Sequence, residues 1–102
     1  MPANNFQIRF LKIAEEDFNE IISFIAEDNP LAANSLADKI EKNIELLSGN
    51  PLPGRIPRDE DIKNLGYRYL IIQNYIVFYT IEGNTIFVHR ILHGARSYKS
   101  LL

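Results

Sequence analysis

The sequence contains no cysteine, which excludes a disulfide frame and a thiolate metal site and leaves nothing that requires an oxidising compartment. It has no apolar run long enough to span a bilayer. Its first thirteen residues set Arg9 and Lys12 among the apolar positions, so a secretion signal is not expected and a soluble cytoplasmic protein is. Positive charge is scarce as well: 11 Lys and Arg stand against 13 Asp and Glu, for a net charge of −2. A protein that grips phosphate backbones over a wide surface carries a clear positive excess, because neutralised phosphates supply most of its non-specific affinity. Glycine-rich phosphate loops, a GxSxG elbow and an HExxH pair are missing too, and no internal repeat or low-complexity segment is found. No metal and no cofactor are expected.

What is present is enough for one small domain, 1–102, with one core: 102 residues, 46% of them apolar. Charge is divided unevenly along it. Residues 1–50 sum to −5 and residues 51–102 to +3.

The last third organises the chain. Tyr67–Ile72, Tyr75–Ile81 and Thr85–His93 are rich in β-branched and aromatic residues, and Gln73-Asn74 and Glu82-Gly83-Asn84 between them are turn chemistry. Three antiparallel strands follow from this. Upstream, Phe6–Ile13 alternates in places and predicts a short edge strand, after which Phe18, Ile21, Ile22 and Ile25 recur at helical spacing behind the acidic start Glu15-Glu16-Asp17. That predicts a helix over about 14–28. Asp28-Asn29-Pro30 joins capping side chains to a proline suited to a first helical position, so a second helix begins with almost no loop and buries Ala33, Leu36, Ala37, Ile40, Ile44 and Leu47. Gly49–Leu65, with its three prolines and mixed charges, reads as a long surface loop. Its Arg55 and Arg58 are either contact residues or ordinary solvated charge.

The middle strand is apolar on both alternating faces, Ile76 and Phe78 on one and Tyr75, Val77, Tyr79 and Ile81 on the other. Both faces then need cover. The helical hairpin supplies one cover, and little chain remains for the second, so a partner molecule is expected there.

Two histidines and a group of arginines are the residues with chemistry to offer. His89 and His93 lie four apart on one strand, which places them on one face about 13 Å apart, too far to share a metal. Either suits acid or base work near neutrality; packing in the sheet for one and capping its end for the other is the reading favoured. Arg68, Arg90, Arg96 and Tyr98 sit at or just after strand ends, where a guanidinium fork binds phosphate or carboxylate. For Arg90, which is mid-strand, ion pairing with Glu82 or with acidic side chains of the helices is an equal alternative. Arg96, beyond Gly94, is the better contact residue.

These residues carry a resemblance. Tyr75-Ile76-Val77-Phe78-Tyr79, a short turn, and Ile86 to Arg96, above all Arg90-Ile91-Leu92-His93-Gly94-Ala95-Arg96, resemble the ParE/RelE toxin superfamily of bacterial type II toxin–antitoxin modules, closer to its ParE branch. The resemblance implies an α+β fold of β-α-α-β-β-β order, a helical hairpin packed on an antiparallel sheet of three to four strands. It also implies a cognate antitoxin, ParD-like or RelB-like, in a toxin–antitoxin hetero-oligomer, and the expected bare face nominates Tyr75, Val77, Tyr79 and Ile81 as its contacts. ParE-like members poison DNA gyrase, which makes a gyrase subunit the expected target and Arg68, Arg90, His93, Arg96 and Tyr98 the candidate contacts. RelE-like members cut mRNA on the ribosome, and in that alternative Arg68, Arg96 and His93 carry the chemistry. Against it, Ile76 stands where those enzymes keep another arginine, and Tyr98 follows Arg96 too closely to match their usual tyrosine. Only part of the base, cation and acid set that metal-free RNA cleavage needs is then visible. A third alternative is an inactive remnant that binds antitoxin and represses its own operon.

Overall fold

The computed structural model describes residues 5–51, 54–94 and 101–102. Strand β1 (Gln7–Phe10) leads into helix α1 (Lys12–Asp28) and helix α2 (Pro30–Leu46), then a short helix α3 (Glu60–Asn64) precedes β2 (Arg68–Ile72), β3 (Tyr75–Glu82) and β4 (Thr85–His93). The expected β-α-α-β-β-β order is observed, with α3 an addition inside what reads as loop. Asp59 makes that turn helical by accepting the Asp61 and Ile62 backbone N–H groups, which also buries Ile62.

Asn29 alone separates the two long helices. Its N–H donates to Ile25 O at 2.9 Å, closing α1, and its side chain accepts from Ala32 N at 3.1 Å, opening α2 beside Pro30. The chain therefore reverses tightly, and the two apolar stripes meet one sheet face: Ala14 of α1 with Leu36, Ile40 and Ile44 of α2 against Ile72, Val77, Val88 and Ile91. Leu47, Tyr79 and Ile86 extend this core towards β1.

The strand order is β1-β4-β3-β2, with β1 parallel to β4 and the other pairings antiparallel. The sheet is mixed because the chain between β1 and β4 passes through the helical hairpin and both hairpin strands before it returns beside β1. At the β2–β3 turn the left-handed residue is Gln73, with φ 54°, and Asn74 stays outside that region.

Two expectations about the sheet are corrected. Tyr75, Val77, Tyr79 and Ile81 pack on the helix side, and Val77 and Tyr79 are fully buried there, so these four do not form a bare face. The opposite face is not open at its centre either: Phe78 and Leu92 are each 1% exposed, and the Tyr67 and Tyr69 rings lie against Phe78 at 6.3 and 6.0 Å between centroids. The segment 49–65, which composition presents as surface loop, is tied to the sheet at described residues. Arg55 and Tyr69 exchange backbone hydrogen bonds of 2.8 and 2.9 Å, and the Tyr79 hydroxyl donates to Pro51 O at 2.7 Å. Gly54 is needed where it stands, because a side-chain carbon there would overlap the hydroxyl end of Tyr79.

Candidate functional site

Strand β4 changes its surroundings along its length. From Thr85 to Val88 it is paired with β1 on one side and β3 on the other, but the β1 pairing stops at Phe10 and Val88. Beyond that point a side chain stands in for the missing strand: Ile91 N donates to Asp17 Oδ2 on α1 at 3.0 Å. The same carboxylate takes the fork of Arg90, with Nε to Oδ2 at 2.7 Å and Nη2 to Oδ1 at 2.9 Å. The third nitrogen, Nη1, donates to Leu101 O at 3.0 Å, so one guanidinium ties helix, strand and the end of the chain together. Its bonding to Asp17 raises its pKa further, against the opposing effect of burial. Each Arg90 guanidinium nitrogen is thus engaged, which supports its structural alternative over a contact role.

His93 closes the strand beside this clasp. Its ring meets Tyr75 edge-on at 5.4 Å, and a cleft of about 270 Å³ opens between the strand end and α1, lined among others by Asp17, Glu20, Ile21, Phe24, Tyr75 and His93. Phe24 on its rim is 73% exposed, an unusual position for a large apolar ring. Arg96 and Tyr98 follow directly in sequence and lie outside the described residues.

His89 does not share His93's face. The register skips a residue between Phe78 and Tyr79, with Phe78 opposite Arg90 and Tyr79 opposite Val88, and this bulge at His89 inverts the alternation. His89 therefore joins the face of Tyr67 and Thr80, whereas His93 stays with Tyr75 on the helix side. Tyr67 Oη lies 3.3 Å from Nδ1 of His89, Nε2 lies 2.9 Å from Thr80 Oγ1, and Thr80 donates to Glu82 Oε2 at 3.5 Å. With the threonine proton directed at Glu82, its oxygen accepts from Nε2–H and Nδ1 accepts from the phenol, so one neutral tautomer satisfies the chain. Burial lowers the His89 pKa, with Glu82 opposing, and burial raises that of Tyr67. With Thr80 buried and both ring nitrogens of His89 engaged, this constellation reads as a polar lock on the sheet.

Arg68 belongs to another region. It stands opposite Tyr79 and donates from Nη1 to Gly54 O at 3.1 Å. Tyr79 in turn faces Val88, so Arg68 is two strands across from β4 and five residues down it from His93, roughly 18–20 Å from it by strand spacing and rise. The structure does not bring Arg68 and His93 together. Asp17 is the site residue that the sequence does not single out: Glu15-Glu16-Asp17 reads as complement to the helix dipole, and the acidic helix side chains that could pair with Arg90 are not told apart. A signal was available: Asp17 comes three residues after Ala14 and four before Ile21, on the buried stripe, where a carboxylate needs a partner. Among the described residues no three His, Cys, Asp or Glu side chains converge as a metal would require, and no helix is long and apolar enough to cross a membrane.

Comparison with known proteins places this geometry in a family. The family described as ParE toxin of type II toxin–antitoxin system, parDE, matches residues 8–98. No curated protein matches the sequence. Among solved structures, the chain is similar to the chromosomal ParDE toxin–antitoxin system from P. aeruginosa, with TM-score 0.73, 18% identity, and 89% of this chain and 98% of that one covered. It is also similar to the RelBE2 toxin–antitoxin complex from Mycobacterium tuberculosis, with TM-score 0.61, 22% identity and coverage of 87% and 98%. A YoeB/ParE toxin from Agrobacterium tumefaciens gives TM-score 0.60 at 16% identity, with 85% and 96% covered. At such identities the structural likeness speaks for the fold alone.

Proposed function

The chain belongs to the ParE toxin family of type II toxin–antitoxin systems, and on that premise we propose that it inhibits DNA gyrase by protein contact made at the end of β4. A cognate antitoxin, ParD-like or RelB-like, holds it inactive, as the toxin–antitoxin complexes among its structural relatives suggest. Its place of action is the cytoplasm. The observation that carries the choice of target is the dispersal of the residues that RNA cleavage would need. Of that set, Arg68 is bound at Gly54, roughly 18–20 Å from His93 by strand spacing and rise, and the neighbouring Arg90 and His89 are engaged by Asp17 and by Tyr67 and Thr80. A phosphorane needs cations and an acid–base pair converging within hydrogen-bond reach, and these groups are spread over both faces and two non-adjacent strands, β2 and β4. His93, with Arg96 and Tyr98 after it, is what remains to meet a target.

A supercoiling assay with purified gyrase, run beside in vitro translation from the same protein stock, tests the proposal. Supercoiling is expected to stop while translation continues. Arrested translation with cut mRNA and intact supercoiling would assign the chain to the ribosome instead, and inactivity in both assays would mark a remnant that only binds antitoxin. Arg96→Ala is expected to weaken inhibition without lowering the melting temperature, as suits a residue whose role is contact.

A further inference from the structure

We propose that Asp17 is a positioning residue for the target-contact end of β4, acting through Arg90 and the Ile91 backbone on His93; the inference rests on the target reading above. Three facts converge on this one carboxylate. It occupies the place of a ladder partner where β1 has ended, so it alone among described side chains fixes the outer edge of β4 at Ile91. It holds Arg90 in two parallel bonds with both side chains only 12% exposed, a geometry that loses little rotamer freedom and is poorly screened by salt. It also lines the cleft whose opposite wall carries His93, two residues beyond Ile91, so displacement of Asp17 moves the helix wall and the strand wall relative to each other.

The consequence is that His93 is useful to the toxin only while Asp17 holds the strand end in place. A strand edge without a neighbour frays, and among the described residues β4 beyond Val88 has a strand on one side only. Carboxylate and guanidinium replace the missing hydrogen-bonded neighbour at one point. Beyond that point Leu92 and His93 stay paired with β3 and set His93 beside the acidic and aromatic side chains of α1 at the cleft. A full strand pairing would hold the edge equally well and would also cover it.

A double-mutant cycle tests this on the full chain. Gyrase inhibition is measured for wild type, Asp17→Asn, His93→Ala and the double variant, each well below its melting temperature. If Asp17 positions His93, each single substitution lowers potency by roughly tenfold, and the double variant is little worse than either single one, as coupled sites behave. Additive losses would overturn the proposal, since a merely structural aspartate and an independent histidine contribute separately. Amide hydrogen exchange gives a readout independent of the target. In Asp17→Ala the Ile91 amide is expected to accelerate about tenfold more than the Val77 amide, which reports the global core. Equal acceleration of the two would refute local positioning. Inactivity of the wild-type chain on gyrase, together with selective acceleration at Ile91, would refute the target and keep the clasp.

Discussion

The two halves of β4 are held by different chemistry. Thr85 to Val88 sits between two strands and under the helices, with Ile86 and Val88 completely buried. His89 to His93 keeps β3 on one side but has a single carboxylate from α1 on the other, and it ends in an exposed histidine at a cleft. The first half is secured by many small, non-directional contacts, which tolerate no vacancy but depend on no one group. The second half also buries Ile91 and Leu92, but its outer edge at Ile91 is held by one charged pair with defined geometry. A surface built that way can stay open at its tip without the strand unravelling, which is what a contact site on a chain of 102 residues requires.

Substitutions in each half should separate these two modes. The largest loss is expected for Tyr79→Ala, opposite Val88, which empties a buried aromatic site and removes the hydroxyl bond to Pro51; about 4 kcal/mol should disappear from urea unfolding. Asp17→Ala leaves Arg90 without its counter-ion in a nearly dry position and should cost about 3 kcal/mol in the same assay. If it costs nothing, the second half is not held by the clasp and the contrast fails. The smallest effect concerns His89, where the halves meet. Its folded pKa lies below its unfolded value of about 6.5, so the stability it contributes is present above that pH and is lost as pH falls through the folded pKa. Urea midpoints should therefore decline on the acid side of pH 6.5, and His89→Gln should flatten the decline.

Much of this architecture was legible from local chemistry. The Asn29-Pro30 junction, the helical stripes and the two hairpin turns are encoded by capping and periodicity within a few residues of each other, and the structure places them where the spacing predicts. What depended on distant pairing was not legible. The parallel placement of β1 and the bulge at His89 are set by neighbours far away in sequence, so alternation alone put His89 and His93 on one face when they occupy two. The burial of the second sheet face turned on the Tyr67 ring packing against Phe78 and on Arg55, which lies within a segment whose prolines and charges read as surface. At the site, the choice between contact and ion pair for Arg90 needed Asp17, 73 positions away, to decide it. The bare face expected for an antitoxin was an error of the same kind, since residues near in space but distant in sequence supply the cover.

The division of β4 into a structural and a functional half is tested most directly by comparing Val88→Ala with Asp17→Ala in the gyrase supercoiling assay, with potency expressed per folded molecule. Val88→Ala is expected to keep wild-type potency once its folded fraction is taken into account, and Asp17→Ala to lose roughly tenfold even when folded. Equal potency for the two, or the greater loss at Val88, would contradict the account.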